Sequence, residues 1–303
     1  MKISGFTYIR NGFIYGYPFV ESIRSLLPLC DEVIVAVGDS TDNTRETIEN
    51  ICPEKIKIID TVWDDNLREG GKIFAVQANI ALDHISGDWG IHLQADEVFH
   101  EKDYELINCA LTEYYEDMQV EGGVFNFLNF YGSYDHVATS RNWHRREVRI
   151  VRNIKNIRSY RDSQGFRYYS PCELNKTNVK GRPLKTFLLN AEIFHYSYVR
   201  SPELMQKKNR QFHSYWHEDK WIIENIQGDT YNYELMIDNI IGFSGTHPAQ
   251  MKELTEKRNW NFTFNKNSRR YNLKDSFLNL IEKWTGWRIG EYKNYRIIRK
   301  FIK

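Results

Sequence analysis

The sequence predicts an α/β chain built on a mostly parallel sheet, extended by antiparallel strands and followed by a helical C-terminal region. Three observations carry this. In roughly the first hundred residues, short β-branched runs alternate with stretches of helical period. The polar segments VGDSTD, WDDNLREGGK and QADE each follow an apolar run, and strand carboxyl ends are where such sheets hold ligands. Later the alternation gives way to strand patterns with few intervening helices.

KISGFTYI reads as the first strand. YPFVESIRSLL follows with Phe19, Ile23, Leu26 and Leu27 on one helical face and Pro18 in the first turn. DEVIVAVG is a buried-type strand. DSTDNTRETIENI opens with Ser40 and Asp42, which can accept bonds from free helix N–H groups, and Ile48 and Ile51 face the core. KIKIIDTVW is the third strand, REGGKIFAVQANIALDHI a glycine turn opening a helix, and WGIHLQA the fourth strand. EKDYELINCALTEYYEDM is helical, GGVFNFLNFYGSY and EVRIVRN are strands, and an irregular polar, aromatic stretch runs to about residue 187. LLNAEIFHYSY ends in a strand near His195, and Ser201 and Pro202 open a helix over SPELMQKKNRQFHSYWHED. In GTHPAQMKEL, Thr246 is the expected cap. The resulting division is a catalytic unit over residues 1–200 and a helical extension over 201–303 packed on it.

Composition excludes several classes. With 41% hydrophobic and 27% charged residues, the chain is globular rather than disordered. A net charge of +1 provides no field for nucleic acid, although RNWHRREVRIVRNIKNIRSYR is locally basic. The four cysteines are far apart, with no CxxC pair, which argues against zinc or disulfide frameworks and for a reducing compartment. The N-terminal segment has no apolar core of signal-peptide length, so a cytoplasmic location is expected.

Asp96 and Glu97, in QADE, are the central candidates. A carboxylate at a strand tip can hold Mg²⁺ or Mn²⁺, which completes its shell with phosphate oxygens and water. The same two acids could instead cap the following helix, where the dipole favours negative charge. Residue chemistry alone leaves both open.

DEVIVAVGDSTDNTRETI, REGGKIFAVQANIAL and GDWGIHLQADEV, in that order, resemble the nucleotide-sugar half of family-2-type glycosyltransferases with the GT-A fold, a Rossmann-type architecture. Those enzymes read V-x-D-D-G-S-T-D-x-T, a helix carrying A-x-N, then L-D-A-D-E/D. AEIFHYSYVRSPELMQKK and GEYKNY resemble a bacterial subgroup of undefined substrate. The resemblance implies a transferase of hexosyl type. It would move sugar from a nucleotide-sugar donor to a hydroxyl of a glycan or lipid-linked acceptor, with inversion and with Mn²⁺ or Mg²⁺, toward surface polysaccharide or glycolipid.

By the same resemblance, the metal-binding acid falls on Asp96 and its companion acid on Gln94, whose amide can bond a ribose hydroxyl. Glu97 is the adjacent catalytic candidate. The acids of the second-strand loop fall on Val37 and Gly38, leaving Asp39 to contact base or ribose. Gly71, Lys72 and Asn79 match the loop and helix beside the nucleotide, with Arg68 and Lys72 toward the phosphates. His195 matches the late histidine that gives a second protein ligand to the cation. The general base is assigned to Asp162, with Glu173 and Asp135 as the other acids in range.

His213 and His217 have zinc-like spacing but no third ligand. Trp284 and Trp287 are expected to pack on the domain, and the last eight, basic residues to contact a membrane surface peripherally. Two rival functions are a catalytically silent nucleotide- or sugar-binding module and a nucleotidyltransferase. The second lacks a glycine- and basic-rich phosphate loop in TYIRNGFIYGYP.

Overall fold

The computed structural model describes residues 1–174, 176, 179–236, 239–263 and 273–301. The first unit runs β1 (Ile3–Ile9), α1 (Phe19–Leu26), β2 (Glu32–Val37), α2 (Thr44–Glu49), β3 (Ile56–Asp60), α3 (Lys72–Leu82) and β4 (Trp89–His92). These strands are parallel, in the order β3-β2-β1-β4.

β2 explains the two-layer core. Successive side chains of a strand point to opposite faces. Val33, Val35 and Val37 therefore join Phe19, Ile23 and Leu26 of α1 on one side. Ile34 and Ala36 join Ile73, Ala78 and Ala81 of α3 on the other. Gly71 precedes α3 with φ 68°, a left-handed conformation that glycine adopts without steric cost.

The second unit adds β5 (Glu97–Phe99), α4 (Tyr104–Glu113), β6 (Gly122–Tyr131), β7 (His136–Ala138), β8 (Arg146–Arg152), β9 (Ile157–Tyr160), β10 (Gly165–Tyr168) and β11 (Arg182–Tyr198). β8 joins β4 antiparallel, β6 joins β8 antiparallel, and β11 lies parallel to β6. The stretch expected to be irregular thus contains a hairpin, β9–β10, and the first residues of β11.

α5 (Pro202–Ser214) starts at Ser201, whose side chain accepts from Leu204 N–H, as expected of that cap. α6 (Asp219–Asn225), β12 (Ile240–Gly242), α7 (Lys252–Glu256), α8 (Leu273–Thr285) and β13 (Tyr295–Phe301) follow. Thr246 does not cap α7; its hydroxyl meets His100 Nε2 at 3.0 Å. No helix among the described residues is long and apolar enough to cross a membrane.

The tail differs from expectation. β13 pairs with β11, and Phe301 is buried in the core, so this segment completes the sheet. Ile302 and Lys303 lie outside the described residues. Trp284 and Trp287, expected to pack, are 83% and 61% exposed.

Candidate functional site

The carboxyl ends of the parallel strands border a cavity of about 640 Å³. Small-molecule sites typically enclose roughly 300–1,000 Å³. Its lining includes Tyr8, Arg10, Trp63, Gln94, Asp96, Asp162, His195 and Lys208, together with the basic segment from Arg141 to Arg146.

After β4 the chain turns, with Glu97 N–H donating to the Gln94 carbonyl at 3.0 Å, and starts β5. β5 runs antiparallel to β11 and sets Glu97 opposite His195. The turn leaves Asp96 facing the cavity at 6% exposure. Its Oδ1 lies 3.8 Å from His195 Nε2, and its Oδ2 lies 3.6 Å from Lys208 Nζ. Burial alone would raise the Asp96 carboxyl. Lys208, His195 and Arg200 outweigh it and hold the group well below the usual carboxylate range.

The His195 tautomer follows from its neighbours. Asn129 donates its Nδ2 to the His144 carbonyl at 2.9 Å, which turns its Oδ1 toward His195 Nδ1, also at 2.9 Å. Nδ1 therefore carries the proton, and the Nε2 lone pair faces Asp96. Burial holds the imidazole toward neutrality, against the pull of Asp96 and Glu97.

Asp96 and His195 were expected to hold a divalent cation. The two donors lie 3.8 Å apart. Gln94, where the companion acid would stand, spends its Nε2 on the Ser163 carbonyl at 3.0 Å. Among the described residues no group of three His, Cys, Asp or Glu side chains could hold a metal. Lys208 already neutralises Asp96. An ammonium beside the same carboxylate would repel a dication held there. The donor set does not fit a divalent ion well.

Asp162 sits at the tip of the β9–β10 hairpin, between Arg161 (φ 55°) and Ser163 (φ 60°), both non-glycine residues in the left-handed region. Two side chains tie this hairpin down. Gln94 holds the Ser163 carbonyl, and Asn79 of α3 exchanges two hydrogen bonds with the Ser159 backbone, at 2.8 and 3.0 Å. Asn79 is thus a clamp on the hairpin. Asp162 Oδ1 is buried without a hydrogen-bond partner, and burial raises its carboxyl above the ordinary value.

Glu97 is not a free acid. Arg149 of β8 grips it at both oxygens, each 2.7 Å, with both side chains buried. Burial would raise its carboxyl, but Arg149 holds it below its usual value. The pair fixes the β4–β5 turn, since Gln94 N–H also donates to Glu97 Oε2 at 3.1 Å.

Asp39, Arg68 and Lys72 are outside the cavity lining. Asp39 pairs with Arg10 at 3.1 Å, and its Oδ1 accepts from Trp63 N–H at 3.2 Å. With Asp65, which meets Arg10 at 2.6 Å, it holds Arg10, whose Nε is buried and unpartnered at the cavity wall. Arg68 pairs with Asp219 at 2.6 Å, and Lys72 with Glu69 at 3.6 Å. Glu173 folds back on Ser170, and Asp135 pairs with Arg258; unlike Asp162, neither lines the cavity. His217 stacks on Trp221, and His213 lies tilted against the same ring.

Sequence reasoning missed Lys208, Arg149 and Glu147. Glu147 lines the cavity and is held by Asn294 Nδ2 at 2.9 Å; burial pushes its carboxyl up to about 8. Lys208 carried a legible signal: it lies between Met205 and Phe212 at i+3 and i−4, on the apolar stripe of α5.

The sequence pattern described as Glycosyl transferase family 2 matches residues 17–170, half of the chain. No curated protein matches the chain. Among solved structures, S. aureus TarS 1-349 is similar at 15% identity and TM-score 0.37, over 70% of this chain and 64% of that one. The chain thus spans less than two thirds of TarS 1-349, and 39% of the longer S. aureus TarS structure. The mannosyltransferase PcManGT from Pyrobaculum calidifontis, in complex with GDP-Man and Mn²⁺, is similar at 18% identity and TM-score 0.31, over 43% of this chain and 36% of that one. These structural similarities are distant; the family match is what assigns the chain.

Proposed function

The chain belongs to glycosyl transferase family 2, and from that premise we propose that it moves a sugar from a nucleotide-sugar donor, bound beside Asp96, to a hydroxyl of a glycan or glycolipid acceptor. One observation carries the reading. Asp96 and Asp162, from separate loops, line the same cavity at the carboxyl ends of the parallel strands.

In this mechanism Asp162 accepts the proton of the acceptor hydroxyl. The acceptor oxygen bonds to the anomeric carbon from the face opposite the diphosphate. The bond from that carbon to the β-phosphate oxygen breaks, its electron pair stays on the diphosphate, and the configuration inverts. The raised Asp162 carboxyl suits a base near neutral pH better than an ordinary aspartate would. Asp96 and His195 are the side chains a divalent cation would meet here, and as a donor set they fit one poorly. With only those two donors on hand, no step is routed through it.

The division near residue 200 belongs to the same proposal, with α5 contributing Lys208 to the site and β13 pairing with β11. So do a cytoplasmic site of action and a product in bacterial surface polysaccharide or glycolipid. Peripheral membrane contact of the C-terminal region is supported by the exposed Trp284 and Trp287 rather than by the last residues.

The test is a transfer assay over a panel of nucleotide sugars and glycan acceptors. Asp96→Ala abolishes turnover while circular dichroism stays native. Wild-type turnover in that variant would remove Asp96 from the site. A second reading, a silent binding module, is favoured by one observation: Gln94 replaces the companion acid and spends its amide on the Ser163 carbonyl. Calorimetric binding of nucleoside diphosphates with no turnover across the panel would select it.

A further inference from the structure

We infer that Lys208 supplies the positive charge that a divalent cation would supply at this site, bridging Asp96 to the diphosphate of the donor. The inference rests on the glycosyltransferase reading above and concerns how that site handles charge.

The position is built. Lys208 comes from the core-facing stripe of α5, its side chain is 8% exposed, and it lines the cavity. Its Nζ donates to the Ser197 carbonyl at 2.8 Å and to Ser197 Oγ at 2.5 Å. An ammonium has three donors. Asp96 Oδ2, at 3.6 Å, is an ion-pair partner beyond ordinary hydrogen-bond distance, which leaves the ammonium donor capacity beyond its two bonds to Ser197. A phosphate oxygen is the acceptor that suits such a buried, charged donor. Burying an ammonium is costly unless it is paired and hydrogen-bonded. Asp96 and Ser197 offset part of that cost, while burial and the neighbouring Arg200 still hold the Lys208 ammonium below the usual lysine range.

Charge balance points the same way. Two carboxylates and a dication sum to zero. With Gln94 in place of one acid, Asp96 and Lys208 also sum to zero. The loss of one negative charge and the replacement of a dication by a monocation are therefore matched. Adding a dication to the Asp96–Lys208 pair would give those two side chains and the ion a net charge of two, in a cavity that Arg10, Arg141, Arg145 and Arg146 also line.

In the transfer step the anomeric carbon–oxygen bond breaks and its electron pair goes to the β-phosphate oxygen. Lys208 donates a hydrogen bond to that phosphate and keeps its proton, so the ammonium is unchanged by turnover. The acceptor proton goes to Asp162, as above.

The experiment titrates UDP, GDP, CDP and ADP into the full chain by calorimetry, in excess EDTA and again in Mn²⁺, with free Mn²⁺ followed by electron paramagnetic resonance. The tightest diphosphate is expected to bind within about 3-fold of the same affinity in both, with no Mn²⁺ taken up. Lys208→Met is expected to weaken it by about 10-fold or more in EDTA, the size of one charge-assisted contact. Lys208→Arg retains most of the affinity. The wild-type comparison stands even if Lys208→Met fails to fold. Binding that is lost in EDTA and restored by Mn²⁺, with Mn²⁺ uptake, overturns the role of Lys208 and leaves the glycosyltransferase reading intact. Absence of binding for every diphosphate in both conditions counts against both.

Discussion

Arg149 Nε and Nη2 meet the two carboxylate oxygens of Glu97 at 2.7 Å each, in a pair almost wholly removed from solvent. The acid beside Asp96 is therefore an anchor, and its neighbour is the one that faces the cavity. Removing one partner of a buried pair leaves the other charge uncompensated and costs about 3–5 kcal/mol. Glu97→Gln and Arg149→Leu should each lower the melting temperature by several degrees in calorimetry. Exchanging both partners for apolar residues should cost less than the two single losses added together. A Glu97→Gln protein of native stability with abolished turnover would show that Glu97 acts in the chemistry instead.

Asp162 carries the prediction on catalysis. Burial raises its carboxyl, and a base works only when ionised. The acid limb of the kcat/KM profile should therefore fall at a pH above the ordinary aspartate value of about 3.9. Asp162→Asn should reduce kcat by roughly 10²–10⁴-fold and remove that limb. An acid limb unchanged in the variant would assign the base elsewhere.

Glu147 gives a stability prediction with a defined sign. Its carboxyl titrates near 4.5 when unfolded and at about 8 in the fold, with burial the dominant cause. Between these values the unfolded chain releases a proton that the native state keeps, so stability falls as pH rises, and the loss is complete above about 8. Glu147→Gln has no such proton. Its melting temperature relative to wild type should rise between pH 5 and 8. A difference flat across that range would show that Glu147 ionises in the fold as readily as in the unfolded chain.

Gly71 links backbone geometry to the site. At φ 68°, an added Cβ would stand 2.9 Å from Asp162 Cβ. Gly71→Ala should cost about 1–2 kcal/mol of backbone strain and displace the base, so turnover should drop as well as stability. Gly70→Ala is the control. Its φ of 58° brings similar strain, but its nearest neighbour is Trp216 at 3.6 Å. Equal turnover in the two variants would break the link between Gly71 and Asp162.

The parts of the fold that depend on local periodicity were legible. The continuous apolar run of β2 and the stripe of α3 announce a parallel unit, and Ser201 announces α5. The site was legible where one residue sits at the end of an apolar run, as Asp96 does. It was not legible where a partner is distant in sequence: nothing near Glu97 signals that Arg149 will meet it. The β9–β10 hairpin was hidden because Arg161 and Ser163 take left-handed conformations that turn rules reserve for glycine or asparagine. Lys208 was visible as a lysine out of phase with its helix, but its partner Asp96 is fixed only by the sheet. The exposure of Trp284 depends on how α8 is oriented, which its own periodicity does not determine.

The central claim is that the cavity at the strand ends holds a donor diphosphate beside Asp96. A crystal structure with the tightest-binding nucleoside diphosphate tests it most directly. The account predicts phosphate oxygens within hydrogen-bond distance of Lys208 Nζ, on the cavity side of Asp96. Phosphates lodged outside this cavity, with Asp96 and Lys208 undisturbed, would contradict it.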